Sequence, residues 1–379
     1  MSEIRVDTIA EKTSGSGTTV SNLKNPNQPF RNLLINGDMA IAQRASSVSS
    51  HSTDSYVNID RWKTRVNSQG VYTVSQSTTV PTGEGFVNSQ KWDCTTADGS
   101  PAAGDFVIFE QKFEGQNLQH LQYGTSSAKS LTVSFHVRSN KTGAYTIGLY
   151  SADGSRHIES SYSISSADTW EKKTVTFAGD TGGTINNDNG EAMKLWFWLG
   201  AGTNFSSGTH ATSWAAYAQA NVLVDNQVNI ADSTSNEWYI TGVQLEVGET
   251  ATDFEHLPHD VQLQRCFRYF QRIQMSSNTV INSMAIGSTN IYTGIPHPDG
   301  TMRTSPTVTL PTAGKGSGNV AFVTAVGAYP TTVGTNTVDN VTASYFRIVG
   351  ASYSANFVAG YAIGFYSNGT NNILIDAEL

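Results

Sequence analysis

Asp54 and Asp60, in the stretch TDSYVNIDRW, are the first residues whose type and spacing suggest chemistry: two carboxylates flanking Tyr56 could act as acid and base on a glycosidic bond. Arg61, next to Asp60, points instead to a neutralised pair, because a neighbouring cation keeps a carboxyl ionised. No other constellation answers the needs of catalysis. The chain has no G-x-S-x-G elbow, its eight histidines are scattered without H-E-x-x-H spacing, and GKGSGN at 314–319 is wrongly spaced for a phosphate loop. Cys94 and Cys266 lie far apart in different contexts, which argues against a disulfide framework or thiolate metal site and for packing as small apolar residues. The expectation is a protein that is not an enzyme and uses no cofactor. Metal binding stays unknown, since Asp and Asn from remote loops can hold calcium without a local signature.

Aromatic side chains offer the alternative, which is binding. A sugar ring stacks its apolar C–H face on Trp or Tyr while its hydroxyls seek polar side chains. In KLWFWLG a strand throws Trp196 and Trp198 to one face and Leu195, Phe197 and Leu199 to the other. One face must be core; the other is either a second buried layer or a glycan-stacking surface. Trp214 and Tyr217, in a long polar stretch, read either as an exposed platform or as local packing. Trp62, Trp92, Trp170 and Trp238 lie in or beside strand patterns and read as core, whereas Phe346, Tyr361 and Phe365 fit core or interface equally.

Elements must position these residues. Residues 1–28 alternate Ile4, Val6 and Ile9 and then run into a stretch too poor in apolar residues to bury a core, which suggests an arm ordering on a partner. From Phe30 to about Glu255 come strand-length apolar runs such as RNLLING, DFVIFEQKF, AYTIGLYS and EWYITGVQLEVG, separated by Gly, Asn, Asp and Ser. No helical pattern intervenes, so the sheets are expected to be antiparallel and closed as a jelly roll. Leu263, Cys266, Phe267, Phe270 and Ile273 recur at helical spacing and predict an amphipathic helix with Asp260 as its cap. Strand patterning then returns. The expected all-β fold is an arm (1–28), a jelly-roll β-sandwich (29–255), a linking helix (256–275) and a second C-terminal β-sandwich (276–379), the last of a size that stands alone.

Composition agrees. Charged residues are 14% of the chain against about 25% in a typical globular protein, which excludes long helices rich in Lys and Glu. The net charge of −8, with no run of Lys or Arg, excludes the phosphate-neutralising stripe that nucleic-acid binding needs. No apolar stretch approaches the roughly 20 residues that span a bilayer, and the first residues lack a signal-peptide pattern, so a soluble protein is expected.

FRNLLINGDMAIAQRA, YVNIDRWK, FEQKFEGQNLQHLQYGTSSAKSLTVSFHVRSNKTGAYTIGLYS, NEWYITGVQLEVGETATDFE and LQRCFRYFQRI together resemble virion proteins of tailed bacteriophages, particularly of marine hosts, over roughly Phe30 to Ile273. That resemblance implies a jelly roll related to carbohydrate-binding modules, with the strand of Val243, Leu245 and Val247 closing the sandwich. PDGTMRTSPTVTLP and NNILIDAEL are similar to a distal β-domain of phage fibre and tail proteins, and IRVDTIAEKTSGSGTTV to segments that join fibres to the particle. Implied are a homotrimeric tail fibre or short knob on the virion exterior, attached through Ile4, Val6 and Ile9, and a host-surface glycan as partner. The resemblance carries over no ligand residues, so the glycan candidates remain Trp214, Tyr217, Trp196 and Trp198. A head or tail decoration protein touching only virion proteins is the alternative, and a polysaccharide depolymerase a minor one.

Overall fold

The computed structural model describes residues 30–275, 280–285, 291–311, 319–324, 335–351, 362–368 and 371–379. The proposed arm residues Ile4, Val6 and Ile9, and Tyr361, lie outside the described residues.

The fold is all-β. The first unit contains β1 (Ser47–His51), β2 (Asp54–Ser55), β3 (Lys63–Asn67), β4 (Val71–Ser77), β5 (Ser89–Thr96), β6 (Phe106–Glu114), β7 (Leu131–Ser139), β8 (Gly143–Ser151), β9 (Arg156–Ile164), β10 (Glu171–Phe177), β11 (Glu191–Ala201), β12 (Ala215–Ala216) and β13 (Glu237–Val247). They form two antiparallel sheets, β1-β4-β5-β13-β7-β10 and β12-β9-β8-β11-β6-β3-β2. Alternation explains the layering. Tyr145, Ile147 and Leu149 of β8 and Leu195, Phe197 and Leu199 of β11 turn into the space between the sheets, where they meet Trp92, Phe135 and Trp238 from the opposite sheet. Trp62 stacks on Phe109 at 4.6 Å in the same core.

Three expectations change here. RNLLING forms no strand; instead the Asn32 side chain donates to Val243 O (3.1 Å) and accepts from the backbone N–H of Leu34 and Leu245, stitching an irregular segment to the bulge of β13. The apolar run was long enough for a strand, but its polar side chains satisfy the backbone another way. Rather than closing the sandwich, β13 runs inside its sheet between β5 and β7, with Val243 and Leu245 buried and Val247 exposed. Trp170 is only half-buried, set edge-on to Tyr239, because it precedes the edge strand β10. Trp62, Trp92 and Trp238 are fully buried, as expected.

The helix α1 (His259–Phe267) ends earlier than its spacing predicts. Pro258 occupies the N-cap without a side-chain cap, and Asp260 sits in the first turn. Phe270 and Ile273 belong to β14 (Phe270–Met275), since a partner strand, β22 (Asn371–Asp376), supplies the ladder that a short apolar run cannot choose for itself.

The C-terminal unit adds β15 (Val280–Ala285), β16 (Ile291–Pro296), β17 (Thr307–Thr309), β18 (Asn319–Thr324), β19 (Thr335–Asp339), β20 (Tyr345–Ala351) and β21 (Ala362–Asn368). Sheets β14-β22-β17 and β18-β21-β15-β16-β20-β19 enclose a core of Met275, Ile295, Met302, Phe346, Ile348, Ile373 and Ile375. The two units are joined by charge pairs, one of them buried. Arg61 pairs with Glu378 and lies 3.4 Å over the Tyr269 ring, while Arg44 reaches Asp376 at 2.8 Å and stacks on Phe270.

Candidate ligand cleft and the aromatic face

The structure buries the two tryptophans proposed as a sugar platform. Trp196 and Trp198 are 3% and 1% exposed, because Phe205, Val222 and Leu223 fold across the outer face of the seven-stranded sheet and make it a second core. Beneath that cover Trp196 Nε1 donates to Glu159 Oε2 (3.1 Å), whose other oxygen meets His157 Nδ1 at 3.0 Å. Burial pushes the Glu159 carboxyl well up and the His157 imidazole down. Trp214 is half-buried; its Nε1 donates to Ala178 O (2.7 Å) and its ring abuts Tyr123. Tyr217 keeps 36% of its surface, with its ring edge-on to Tyr150 and His157. Of these four candidates Tyr217 alone is exposed and Trp214 is half-buried, and the four residues form no shared platform.

Neither aspartate is placed for glycosidic chemistry. Asp54 is held below the usual carboxylate range: burial pushes it up, but hydrogen bonds from Lys63 and Arg65 outweigh that. Asp60 is fully buried and does not pair with Arg61, as its neighbourhood suggested; it accepts from Gln43 N at 3.0 Å and from Gln43 Nε2, with Arg44 at 3.9 Å. Burial pushes its carboxyl up to about 6, against the pull of Arg44 and Gln43. The folded value exceeds the ordinary 3.8, so the stability this group contributes is complete below about pH 4 and is lost as pH rises through 6. Wild type should therefore lose about 3 kcal/mol relative to Asp60→Asn between pH 4 and 7 in urea melts. A pH-independent difference between the two proteins rejects that assignment.

Cys94 and Cys266 are buried free thiols. Among the described residues no group of three or more His, Cys, Asp or Glu is placed to hold a metal, and no helix is long and apolar enough to cross a membrane.

A cleft open to a ligand lies elsewhere, where the first sandwich meets α1. It is a cleft of about 950 Å³, within the ordinary size of small-ligand sites. One wall comes from the end of β6 and the turns after it. Glu114, fully buried, takes both Arg268 Nε (2.8 Å) and Nη2 (2.7 Å), and also Gln116 Nε2 (2.6 Å). Burial alone would raise the Glu114 carboxyl, but hydrogen bonds from Arg268, Tyr269 and Gln116 hold it below the usual range. A second wall follows β13: buried Glu246 accepts from Thr252 N and Oγ1, both at 2.8 Å, and Arg31 donates to Thr252 Oγ1 (2.9 Å) and Asp253 O (2.6 Å). The third wall is α1 and its exit, with Arg265, Arg268 and Tyr269. Gln116, Asn117 and His120 stand exposed at the rim.

Hydroxyl-bearing ligands suit such walls, because carboxylates and guanidinium groups fixed by their own hydrogen bonds cost no further ordering on binding. None of these residues was singled out from the sequence. The available signal was Arg265 and Arg268, three apart at the end of the helical pattern in LQRCFRYF.

No protein-family model matches the chain, and no curated protein matches it. Among solved structures it is similar to the enzymatically active domain of bacteriophage CBA120 tailspike protein 4 (13% identity, TM-score 0.32), over 58% of this chain and 22% of that one. It thus spans about a fifth of the tailspike chain. It is also similar to TmCBM61 in complex with β-1,4-galactotriose (10%, TM-score 0.30, 57% and 99% of the two chains). A third likeness is to the family 11 carbohydrate-binding module of Clostridium thermocellum cellulase Lic26A-Cel5E (14%, TM-score 0.26, 54% and 98%). At these TM-scores the likenesses carry no argument about function.

Proposed function

We propose that the protein is a non-enzymatic carbohydrate-recognition component of a phage particle, a short fibre or knob. Residues 1–28 would attach it to other virion proteins, three chains would associate, and a host-surface glycan would enter the cleft between the first sandwich and α1. The observation that carries the glycan reading is the cleft itself: about 950 Å³, walled by buried, hydrogen-bonded Glu114 and Glu246 and rimmed by exposed Gln116 and Asn117. Such groups donate to and accept from sugar hydroxyls. Three linked copies would raise weak single-site affinity through effective concentration.

The test is a glycan array and titration calorimetry on the full chain, with light scattering for its mass. Specific binding is expected, weakened about tenfold by Asn117→Ala combined with Gln116→Ala and unchanged by Tyr217→Ala. A three-chain mass is expected alongside it. Absence of binding across host envelope preparations, or binding indifferent to the rim variants, rejects the cleft.

A further inference from the structure

One group in the cleft wall has no task in this reading. Arg265, in the last turn of α1, lines the cleft and is half-buried, yet among the described residues it makes no hydrogen bond or ion pair. The other arginines and the lysine there have partners: Glu114 for Arg268, Glu191 at 2.6 Å for Lys112, Glu378 for Arg61, and Thr252 and Asp253 for Arg31. Glu255 is the carboxylate that acts on Arg265, but its two oxygens already accept from Phe30 N (2.5 Å) and Asn32 N (3.0 Å). Arg61 lies behind the same cleft wall but is 1% exposed, with its Nε sealed from solvent, so it adds positive charge without reaching a ligand.

A half-dry cation beside a second cation is unfavourable unless something supplies negative charge. Burial, with the Arg61 charge adding to it, holds the Arg265 guanidinium below the usual arginine value, although Cys266, Tyr269 and Glu255 pull the other way. An arginine persisting in that position is poised for an incoming anion, and its planar fork matches the two oxygens of a carboxylate or the face of a sulfate. We infer that the cleft selects an anionic saccharide, whose carboxylate or sulfate pairs with the Arg265 guanidinium. This rests on the glycan reading of the same cleft and adds the ligand's charge to it. The protein's net charge of −8 would repel such a ligand at a distance, so recognition depends on Arg265 in the cleft wall rather than on long-range steering.

The experiment uses the full chain and four probes: galacturonate trisaccharide, its methyl ester, a sulfated trisaccharide, and inorganic sulfate against chloride at matched ionic strength. Esterification removes the charge and leaves the shape, so the ester should bind about tenfold more weakly than the acid. Arg265→Gln should erase that difference, bringing the acid down to the level of the ester. Binding of the acid alone or of the sulfated sugar alone distinguishes a carboxylate from a sulfate as the natural anion, and either supports the inference. Equal binding of acid and ester, unaffected by Arg265→Gln, overturns it and leaves the glycan reading intact. Sulfate that raises the melting temperature through Arg265, with no saccharide bound, overturns the glycan reading and keeps the anion contact. If neither acid nor sulfate is bound better than chloride, the inference is wrong.

Discussion

Glu378→Ala should destabilise the protein by about 3–5 kcal/mol, far more than an ordinary substitution next to a chain terminus. Glu378 is 3% exposed at its side chain and faces two arginines, Arg61 at 1% and Arg44 at 9%. Arg61 pairs with it directly, and Arg44 Nη1 lies 3.5 Å from its other oxygen. Removing the carboxylate leaves Arg61 buried with only the Lys112 carbonyl (2.8 Å) and the Tyr269 ring to answer its charge. The penalty comes from that stranded cation, not from the intrinsic strength of the pair. Replacing both partners, as in Arg61→Met with Glu378→Met, should therefore recover most of the loss. Urea melts of the two single variants and the double variant measure this directly. A loss below about 1 kcal/mol for Glu378→Ala would mean that water screens the pair, as at an exposed salt bridge. Because Glu378 follows β22 and Arg61 precedes β3, the same variant also reports how firmly the second unit holds the first. The turns after β6, at Gly115–Asn117 and Gln119–Leu121, and α1 depend on that docking through Tyr269 and Arg268.

The strands were legible because their alternation is a local signal. DFVIFEQKF, AYTIGLYS and KLWFWLG all became strands of one sheet, with inward and outward residues where a two-residue period puts them. Pairing partners were not legible, since β13 meets β5 and β7 across more than a hundred residues and nothing local encodes that choice. The same limit hid the cleft. Glu114 and Arg268 are ligand-wall residues only because β6 and α1 come together, and their side chains alone look like ordinary surface charge. The aromatic face misled for a related reason: alternation tells which way Trp196 and Trp198 turn, but not that residues 202–224 return to cover them. Helical spacing misled at Phe270 and Ile273: three residues apart, they fall on opposite faces of β14, and the ladder with β22, not their periodicity, fixes the strand.

Gly37→Ala should cost about 4 kcal/mol or more and prevent accumulation of folded protein at growth temperature. A Cβ built at Gly37 would stand 2.0 Å from Val243 O and 3.1 Å from its carbonyl carbon, both backbone atoms that cannot turn aside. The two chains are held at that distance by Val243 N donating to Gly37 O (2.9 Å), Leu33 N to Leu245 O (2.9 Å), and the Asn32 side chain bridging Val243 and Leu245. Separating them to admit a methyl group adds overpacking of about 1–3 kcal/mol to the loss of several hydrogen bonds worth about 1 kcal/mol each. The strain lies beside Gly242 of β13, whose φ of +62° and contact with Phe86 leave no slack on the other side. Gly99→Ala is the control, because its nearest foreign atom is 4.0 Å away and its φ is not positive; it should change stability by no more than about 0.5 kcal/mol. Comparable melting temperatures for the two variants would show that residues 30–41 can lift off β13 without cost. That result would also remove the cleft's wall at Arg31, because Arg31 is carried by that segment.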